Sequence, residues 1–262
     1  MSGIEESNSS PPIIAVGSGK GGVGKTTISV RLARELRNIG LRVGLVDADL
    51  HAPDIPRLLG FVRSEPAHQV TVMARRGSAR SRLEPLVVEG LYVASAGVLL
   101  ASDQSLTISA EIAHLLLARL LNQTLWPTLD VLVLDLPPGT AEFQQLALTT
   151  RARTAALLVV TPDDLAHLDT RRLVELLRRV RVTTLGGIEN MAGLRCPGCG
   201  LYSRLYPETS SERSIWNAGV KKLTELPFQI SSEDPAQPQP NGGFEPVIDA
   251  VATFLAKPSD HP

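Results

Sequence analysis

The sequence predicts a doubly wound α/β fold, in which a mainly parallel sheet is flanked by helices on both faces. Short apolar runs rich in β-branched residues alternate with longer segments of helical periodicity. These runs are apolar at every position, which is typical of strands buried on both faces of a parallel sheet. The composition also fits one well-cored domain, since 43% of the 262 residues are hydrophobic and 20% are charged.

Strands and helices are predicted in alternation along the chain. The apolar runs predict strands at 13–16, 43–46, 91–94, 131–134, 155–160 and 185–188. Helical periodicity predicts helices at 26–39, 108–121 and 168–180, with Gly40 as a carboxyl cap of the first. Two stretches that break the pattern, 63–86 and 231–243, are expected to be surface loops. We therefore expect a single domain over 13–257, between a disordered leader at 1–12 and a tail at 258–262.

The charge balance argues against a general attraction to polyanions. Lys and Arg number 26 against 27 Asp and Glu, a formal net charge of -1. We therefore expect no nucleic-acid partner and no membrane partner. The amino terminus lacks the basic start and apolar stretch of a secretory signal, and no apolar run approaches the roughly 20 residues that span a bilayer. The chain is expected to be cytoplasmic.

The sequence GKGGVGKTT, residues 19–27, follows the first predicted strand and opens the first predicted helix. In that context a Gly-rich turn predicts a phosphate loop, because its backbone N–H groups and the helix amino terminus point at the same anion. Lys25 is expected to neutralise phosphate charge, and the Thr26 hydroxyl to bind Mg²⁺. The residues expected to bind ATP here are Gly19, Lys20, Gly21, Gly22, Val23, Gly24, Lys25, Thr26 and Thr27.

Three aspartates follow predicted strands. Asp47 and Asp49 come after the second strand, and Asp135 comes after the fourth. Ligands of doubly wound sheets bind at the carboxyl ends of the strands, so these carboxylates are expected to face the phosphates. Asp135, in VLVLDLPPGT, matches a Walker B carboxylate that holds Mg²⁺ through water. The alternative is an aspartate that caps a turn.

Cys196 and Cys199 are the two cysteines of the chain. In a reducing compartment, this C-x-x-C spacing favours metal or redox chemistry over a structural disulfide. A structural zinc ion and a 4Fe-4S cluster both commonly take four thiolates, so two chains would supply what one chain lacks. A bridging cluster, an intersubunit Zn²⁺ ion, a redox dithiol and a purely structural turn all remain open on these grounds.

Four motifs occur in the order of a known family. The phosphate loop carries an early lysine, Lys20, as in the deviant Walker A motif, and D-x-D-x-x-x-P follows at 47–53. D-x-P-P-G-T stands at 135–140, and E-N-M at 189–191 precedes C-P-x-C. Over about residues 12–257 the sequence resembles the Mrp/ApbC family of iron–sulfur cluster carrier ATPases, which is related to MinD and ParA.

The resemblance implies roles for residues of the nucleotide site. Lys20 would reach the nucleotide of a second subunit in a face-to-face homodimer. Asp49 would orient the attacking water and Asp47 would support the Mg²⁺ shell. Asn190 would hydrogen-bond the adenine, and Pro227 would pack near the base. ATP hydrolysis would be slow and dimer-dependent.

The resemblance also implies that Cys196 and Cys199 of two subunits hold one bridging 4Fe-4S cluster, which passes to apo iron–sulfur client proteins. Ala52, Asp54, Ala141 and Glu142 depart from the family pattern in its two switch segments. Two alternatives follow: a MinD/ParA-like positioning ATPase, and a regulatory protein that binds ATP but scarcely hydrolyses it. The carboxyl-terminal segment 245–262 argues against membrane positioning. Its one basic residue is Lys257, whereas a helix that binds a membrane surface presents a basic polar face.

Overall fold

A computed structural model describes most of the chain. The described residues are 10–49, 53–60, 83–95, 110–137, 153–196, 198–207, 209–228 and 243–257. Several predictions concern residues outside these ranges: the leader up to residue 9, the tail at 258–262, most of both surface loops, and the switch residues Ala52, Ala141 and Glu142.

Ten strands and five helices are described. The strands are β1 (Ile13–Gly17), β2 (Val43–Asp47), β3 (Leu86–Val88), β4 (Leu91–Ser95), β5 (Val131–Asp135), β6 (Thr154–Val160), β7 (Thr183–Glu189), β8 (Gly193–Arg195), β9 (Tyr202–Arg204) and β10 (Lys222–Glu225). The helices are α1 (Lys25–Asn38), α2 (Ile55–Leu58), α3 (Ala110–Asn122), α4 (Asp164–Arg179) and α5 (Glu245–Ala256).

Eight of the strands form one sheet in the order β10-β7-β6-β1-β5-β2-β4-β3. Neighbouring strands are parallel except β3, which runs antiparallel to β4 at one edge. β8 and β9 form a separate antiparallel hairpin. The predicted fold class is confirmed.

Apolar side chains are buried on both faces of the sheet. In β1, Ile14 and Val16 belong to one core cluster, while Ile13 and Ala15 belong to the other. α1 and α5 supply residues to the first cluster, and α3 supplies residues to the second. This two-sided burial explains why the central strands are apolar at every position. None of the described helices is both long and apolar enough to cross a lipid bilayer.

All six predicted strands and all three predicted helices are present, and their described ends lie within four residues of the predicted ones. The elements that the patterns missed are mostly short or exposed. α2 has four residues, and β9 is exposed at every position. Leu86 was assigned to a surface loop, but it begins β3, a three-residue edge strand too short to show a period.

A charge pair joins α1 to the turn between β3 and β4. The Arg34 side chain is 2% exposed, and its guanidinium donates two 2.8 Å hydrogen bonds to the Glu89 carboxylate. Replacing Glu89 with alanine would remove the carboxylate that accepts these two hydrogen bonds from the buried Arg34 guanidinium. We expect Glu89→Ala to lower the free energy of unfolding by about 2 to 3 kcal/mol, measured by urea denaturation.

The control is an exposed pair of similar geometry, Arg178 and Glu175 on α4, whose closest nitrogen and oxygen lie 2.7 Å apart. Solvent screens this pair, so Glu175→Ala is expected to change stability by less than about 0.5 kcal/mol. Equal effects of the two substitutions would contradict the importance of burial at Arg34.

Candidate nucleotide site and cysteine hairpin

Polar groups meet at the carboxyl edge of the sheet. The strand register pairs Val16 of β1 with Asp135 of β5, Asp135 with Asp47 of β2, and Asp47 with Ser95 of β4. The Gly-rich loop begins directly after β1. The two aspartates therefore lie in one row beside the loop, as the parallel topology predicts.

The loop has a shape that side chains would obstruct. Gly24 has φ 85°, and a Cβ there would lie 2.3 Å from Nδ2 of Asn190. A Cβ on Gly19 would lie 2.1 Å from the backbone carbonyl carbon of Asp169. Gly24 is also the N-cap of α1 and gives it no side-chain hydrogen bond. The amino-terminal N–H groups of α1 are thus available to an anion.

A cleft of about 430 Å³ opens between the loop and α2. Its lining residues are Ser18, Lys20, Gly21, Gly22, Gly24, Lys25, Thr26 and Thr27 on the loop side, and Asp49, Asp54, Arg57 and Leu58 on the other. Two residues of the predicted phosphate loop are not in this lining. Val23 turns its side chain into the core, and the Gly19 N–H donates to Oγ1 of Thr170.

Asp135 is fully buried beneath the loop. Its Oδ1 accepts from Nζ of Lys25 at 3.4 Å and from Oγ of Ser29 at 2.8 Å. Burial raises the pKa of Asp135, and the Lys25 charge with the nearby Thr26 and Ser29 hydroxyls opposes that rise. Its Oδ2 has no hydrogen-bond partner among the described residues. An orphaned carboxylate oxygen beside the Thr26 hydroxyl fits a hard, oxygen-binding cation such as Mg²⁺.

Asp47 is also buried, but it does not line the cleft. Its Oδ1 accepts from the Asp49 N–H at 3.1 Å, while its Oδ2 accepts from the Ile55 N–H and the Ser95 hydroxyl at 3.2 Å. Asp47 therefore fixes the start of the segment that carries Asp49 and α2. These contacts let Asp47 position that segment, and its support of the Mg²⁺ shell stays a prediction.

Burial, followed by the nearby charge of Asp135, raises the pKa of Asp47 to about 8 from its ordinary 3.8. The folded protein then binds more protons than the unfolded chain between those values. Asp47 therefore contributes stability that is lost as pH rises from about 4 to about 8. We expect Asp47→Asn to flatten this dependence, measured by urea unfolding at about pH 5 and about pH 8 in EDTA without nucleotide.

Asp249 on the exposed face of α5 offers a matched control. Asp249→Asn should keep the pH slope of the unsubstituted protein. A slope of the same size in Asp47→Asn would show that another group causes it.

Lys20 lies at the surface, with Nζ 3.5 Å from Oδ1 of Asp163. Asp163 is the N-cap of α4 and accepts from the Ala166 N–H at 2.9 Å. An exposed ion pair of this length contributes about 0 to 1 kcal/mol. Lys20 is therefore only weakly held within its own chain.

Asn190 follows β7 and contacts the loop. Its side chain is buried, and Nδ2 donates to the Val23 carbonyl at 2.9 Å. Pro227 is exposed and lies beside this segment, because the preceding Leu226 exchanges backbone hydrogen bonds with Glu189 and Ala192. Asn190 thus supports the loop from below, and contact of Asn190 or Pro227 with adenine stays a prediction.

Cys196 and Cys199 lie in the turn of the β8–β9 hairpin. The Cys196 N–H donates to the Leu201 carbonyl, and the Gly200 N–H donates to the Cys196 carbonyl, both at 2.8 Å. The backbone N–H groups of Cys199 and Gly198 point at Sγ of Cys196 and, with the Cys199 thiol, lower its pKa. The turn thus favours a thiolate at Cys196 and exposes Cys199.

No group of three or more His, Cys, Asp or Glu residues suited to a metal is found in the described parts of the chain. Exposed apolar side chains continue from the cysteine turn, among them Leu201 and Tyr202, which are 66% and 42% exposed. The two thiols thus lie at the edge of an apolar surface.

Sequence reasoning missed two residues that shape the site. Ser29 lies four positions after Lys25, hence on the same face of α1, and helical spacing could have identified it. Thr170, on α4, meets Gly19 across 151 positions of sequence, and no local pattern signals such a contact.

The fold and the phosphate loop define a P-loop NTPase. A family described as ParA, NUBPL iron-transfer P-loop NTPase, matches residues 10–240. The chain therefore belongs to the NUBPL iron-transfer P-loop NTPase family. This finding confirms the resemblance based on the four ordered motifs.

Two similar proteins support membership of this family. The chain is 38% identical to an iron–sulfur cluster carrier protein of Haemophilus influenzae, over 83% of this chain and 56% of the relative. It is 35% identical to that of Escherichia coli K12, over 84% of this chain and 57% of the relative. The chain thus spans somewhat more than half the length of these relatives.

A solved structure shows a similar fold with nucleotide bound. It is a nucleotide-binding protein from Archaeoglobus fulgidus in complex with ADP, with a TM-score of 0.65 and 26% identity. The match covers 94% of this chain and 89% of that protein.

Proposed function

We propose that this chain is an ATP-dependent carrier of iron–sulfur clusters. It would act as a homodimer that holds a 4Fe-4S cluster between the cysteine turns of two copies and passes it to apo-proteins. The observation that carries the proposal is a pair of thiols, one half-buried and one exposed, in the turn of a hairpin that directly follows the Asn190 segment beneath the phosphate loop. The names of the relatives agree with it.

ATP would occupy the cleft with its phosphates in the loop. Bound Mg²⁺ would supply positive charge at the β- and γ-phosphates, held by the Thr26 hydroxyl and the Asp135 carboxylate. Lys25 would donate to the same phosphates. Asp49, on the opposite wall of the cleft, would orient the attacking water. Lys20 is loosely held at the cleft and would contact the nucleotide of the partner copy.

The cluster would be cargo held at the surface. Cys196 and Cys199 supply two of the four thiolates that a 4Fe-4S cluster commonly takes. A second copy would supply the other two, and the apolar residues beside the turn, Leu201 and Tyr202, support such a contact. A labile site at an exposed turn also suits transfer, because a client protein can approach it.

The test is metal analysis of protein purified without oxygen and reconstituted with iron and sulfide. About four irons and four sulfides per dimer, followed by loss of that iron to an added apo-ferredoxin, would support a carrier. About one zinc per dimer and no iron would replace the cluster with an intersubunit Zn²⁺ site. Metal-free protein that stays monomeric with ATP would overturn the proposal.

A further inference from the structure

The two carboxylate oxygens of Asp135 have unequal surroundings. Oδ1 receives the Lys25 ammonium at 3.4 Å and the Ser29 hydroxyl at 2.8 Å. Oδ2 is buried and has no partner in the described part of the chain. The contacts at Oδ1 therefore set the direction in which Oδ2 points.

The Ser29 hydroxyl has two acceptors within reach but only one proton. The Lys25 carbonyl, one helical turn back, lies 3.1 Å from Oγ, the usual partner of a serine in a helix. Oδ1 of Asp135 is closer, at 2.8 Å, and a carboxylate accepts more strongly than a carbonyl. Ser29 is fully buried, so water does not compete for this proton.

The two groups that contact Oδ1 of Asp135 are expected to respond differently when nucleotide binds. Under the proposed function, Lys25 turns to the phosphates, while the nearby Thr26 hydroxyl binds Mg²⁺. Ser29 lies outside the cleft lining, so neither ligand draws it away. It is the contact that persists when the site fills.

We propose that Ser29 is a positioning residue of the magnesium site, which holds Oδ1 of Asp135 so that Oδ2 faces the cation shell. The inference rests on the proposed function, in which Asp135 holds Mg²⁺. Ser29 itself touches neither the cation nor the nucleotide. Its loss should thus weaken the contribution of Mg²⁺ to nucleotide binding while leaving metal-free binding intact.

The test measures affinity for a fluorescent ADP analogue in Mg²⁺ and in EDTA. The ratio of the two affinities is the Mg²⁺ enhancement. Ser29→Ala is expected to lower this enhancement about tenfold, the effect of losing one hydrogen bond to a charged group, and to change affinity in EDTA by less than about twofold. Ser29→Thr retains the hydroxyl and should restore most of the enhancement.

Thr124, just after α3, provides a matched control. Its buried hydroxyl donates to the Leu120 carbonyl four residues back, and Thr124 does not line the cleft. Thr124→Ala is expected to keep the full Mg²⁺ enhancement. Thermal unfolding of all three variants identifies any general loss of structure.

The outcomes separate the two proposals. If the unsubstituted protein binds ADP equally in Mg²⁺ and in EDTA, the proposed magnesium site fails and the role of Ser29 fails with it. If the unsubstituted protein shows the enhancement and Ser29→Ala keeps it, the role of Ser29 alone is overturned. Equal losses in Mg²⁺ and in EDTA would likewise overturn it, because they would indicate a general structural role.

Discussion

Replacing Cys196 and Cys199 together with alanine is expected to abolish iron binding after anaerobic reconstitution. Iron should fall from about four per dimer to background, because no third metal-ligating side chain accompanies the two thiols in the described residues. The thiols lie in an exposed turn and fill no core space. The fold and the affinity for ADP should therefore be unchanged. Iron and sulfide analysis with an ADP titration measures both expectations.

Single substitutions sharpen this experiment. Cys196 is half-buried and the turn lowers the pKa of its thiol, whereas Cys199 is the exposed member of the pair. Either Cys196→Ala or Cys199→Ala leaves two thiolates per dimer, so neither should hold a stable 4Fe-4S cluster. Iron binding that survives in the double variant would place the cluster elsewhere and contradict the proposal.

Replacing Lys25 with alanine is expected to lower the affinity for Mg-ADP at least about 100-fold, equivalent to about 2.7 kcal/mol. Lys25 lies in the cleft lining and is the cation closest to Asp135. Removing it deletes charge-assisted bonds to phosphate, which are among the strongest hydrogen bonds in proteins. It also leaves the buried Asp135 carboxyl without its cation. Isothermal titration calorimetry with Mg-ADP measures the loss.

Lys221 supplies the control for that substitution. It is exposed, and its backbone carbonyl accepts from the Gly187 N–H. Lys221→Ala should bind Mg-ADP within about twofold of the unsubstituted protein. Lys25→Ala leaves the buried Asp135 carboxyl without the neighbouring Lys25 charge, so the thermal unfolding of this variant is measured as well. Unchanged affinity for Mg-ADP in a folded Lys25→Ala protein would exclude the loop as the phosphate site.

The sheet and its polar edge were predictable from local signals. Fully buried strands are apolar at each position, so β1, β2 and β5 stand out in the sequence. Parallel topology then brings Asp47 and Asp135 to one edge without any knowledge of side-chain contacts. The glycines, the lysine and the threonine of the loop have a spacing that follows from phosphate geometry.

The remaining features depend on contacts between distant segments. Asp47 looks like a cleft residue in sequence, yet three donors, one from its own segment and two from other segments, hold it outside the cleft lining. The hydrogen bond from the Asn190 amide nitrogen to the Val23 carbonyl joins residues 167 positions apart. The β8–β9 hairpin is too short and too exposed to show a strand period. No single-segment pattern encodes these arrangements.

The bond between Asn190 and Val23 has a mechanical consequence. Five residues separate Asn190 from Cys196, and Met191 at their start has φ 57°, a conformation with little room to relax. Two backbone hydrogen bonds fix the middle of this connection to a neighbouring segment. The Ala192 N–H donates to the Leu226 carbonyl, and the Phe228 N–H donates to the Gly193 carbonyl. A displacement of Val23 would therefore either break its hydrogen bond to Asn190 or tilt the β8–β9 hairpin about these two backbone hydrogen bonds. In the proposed homodimer, the distance between the two cysteine pairs would then depend on which nucleotide fills the loop.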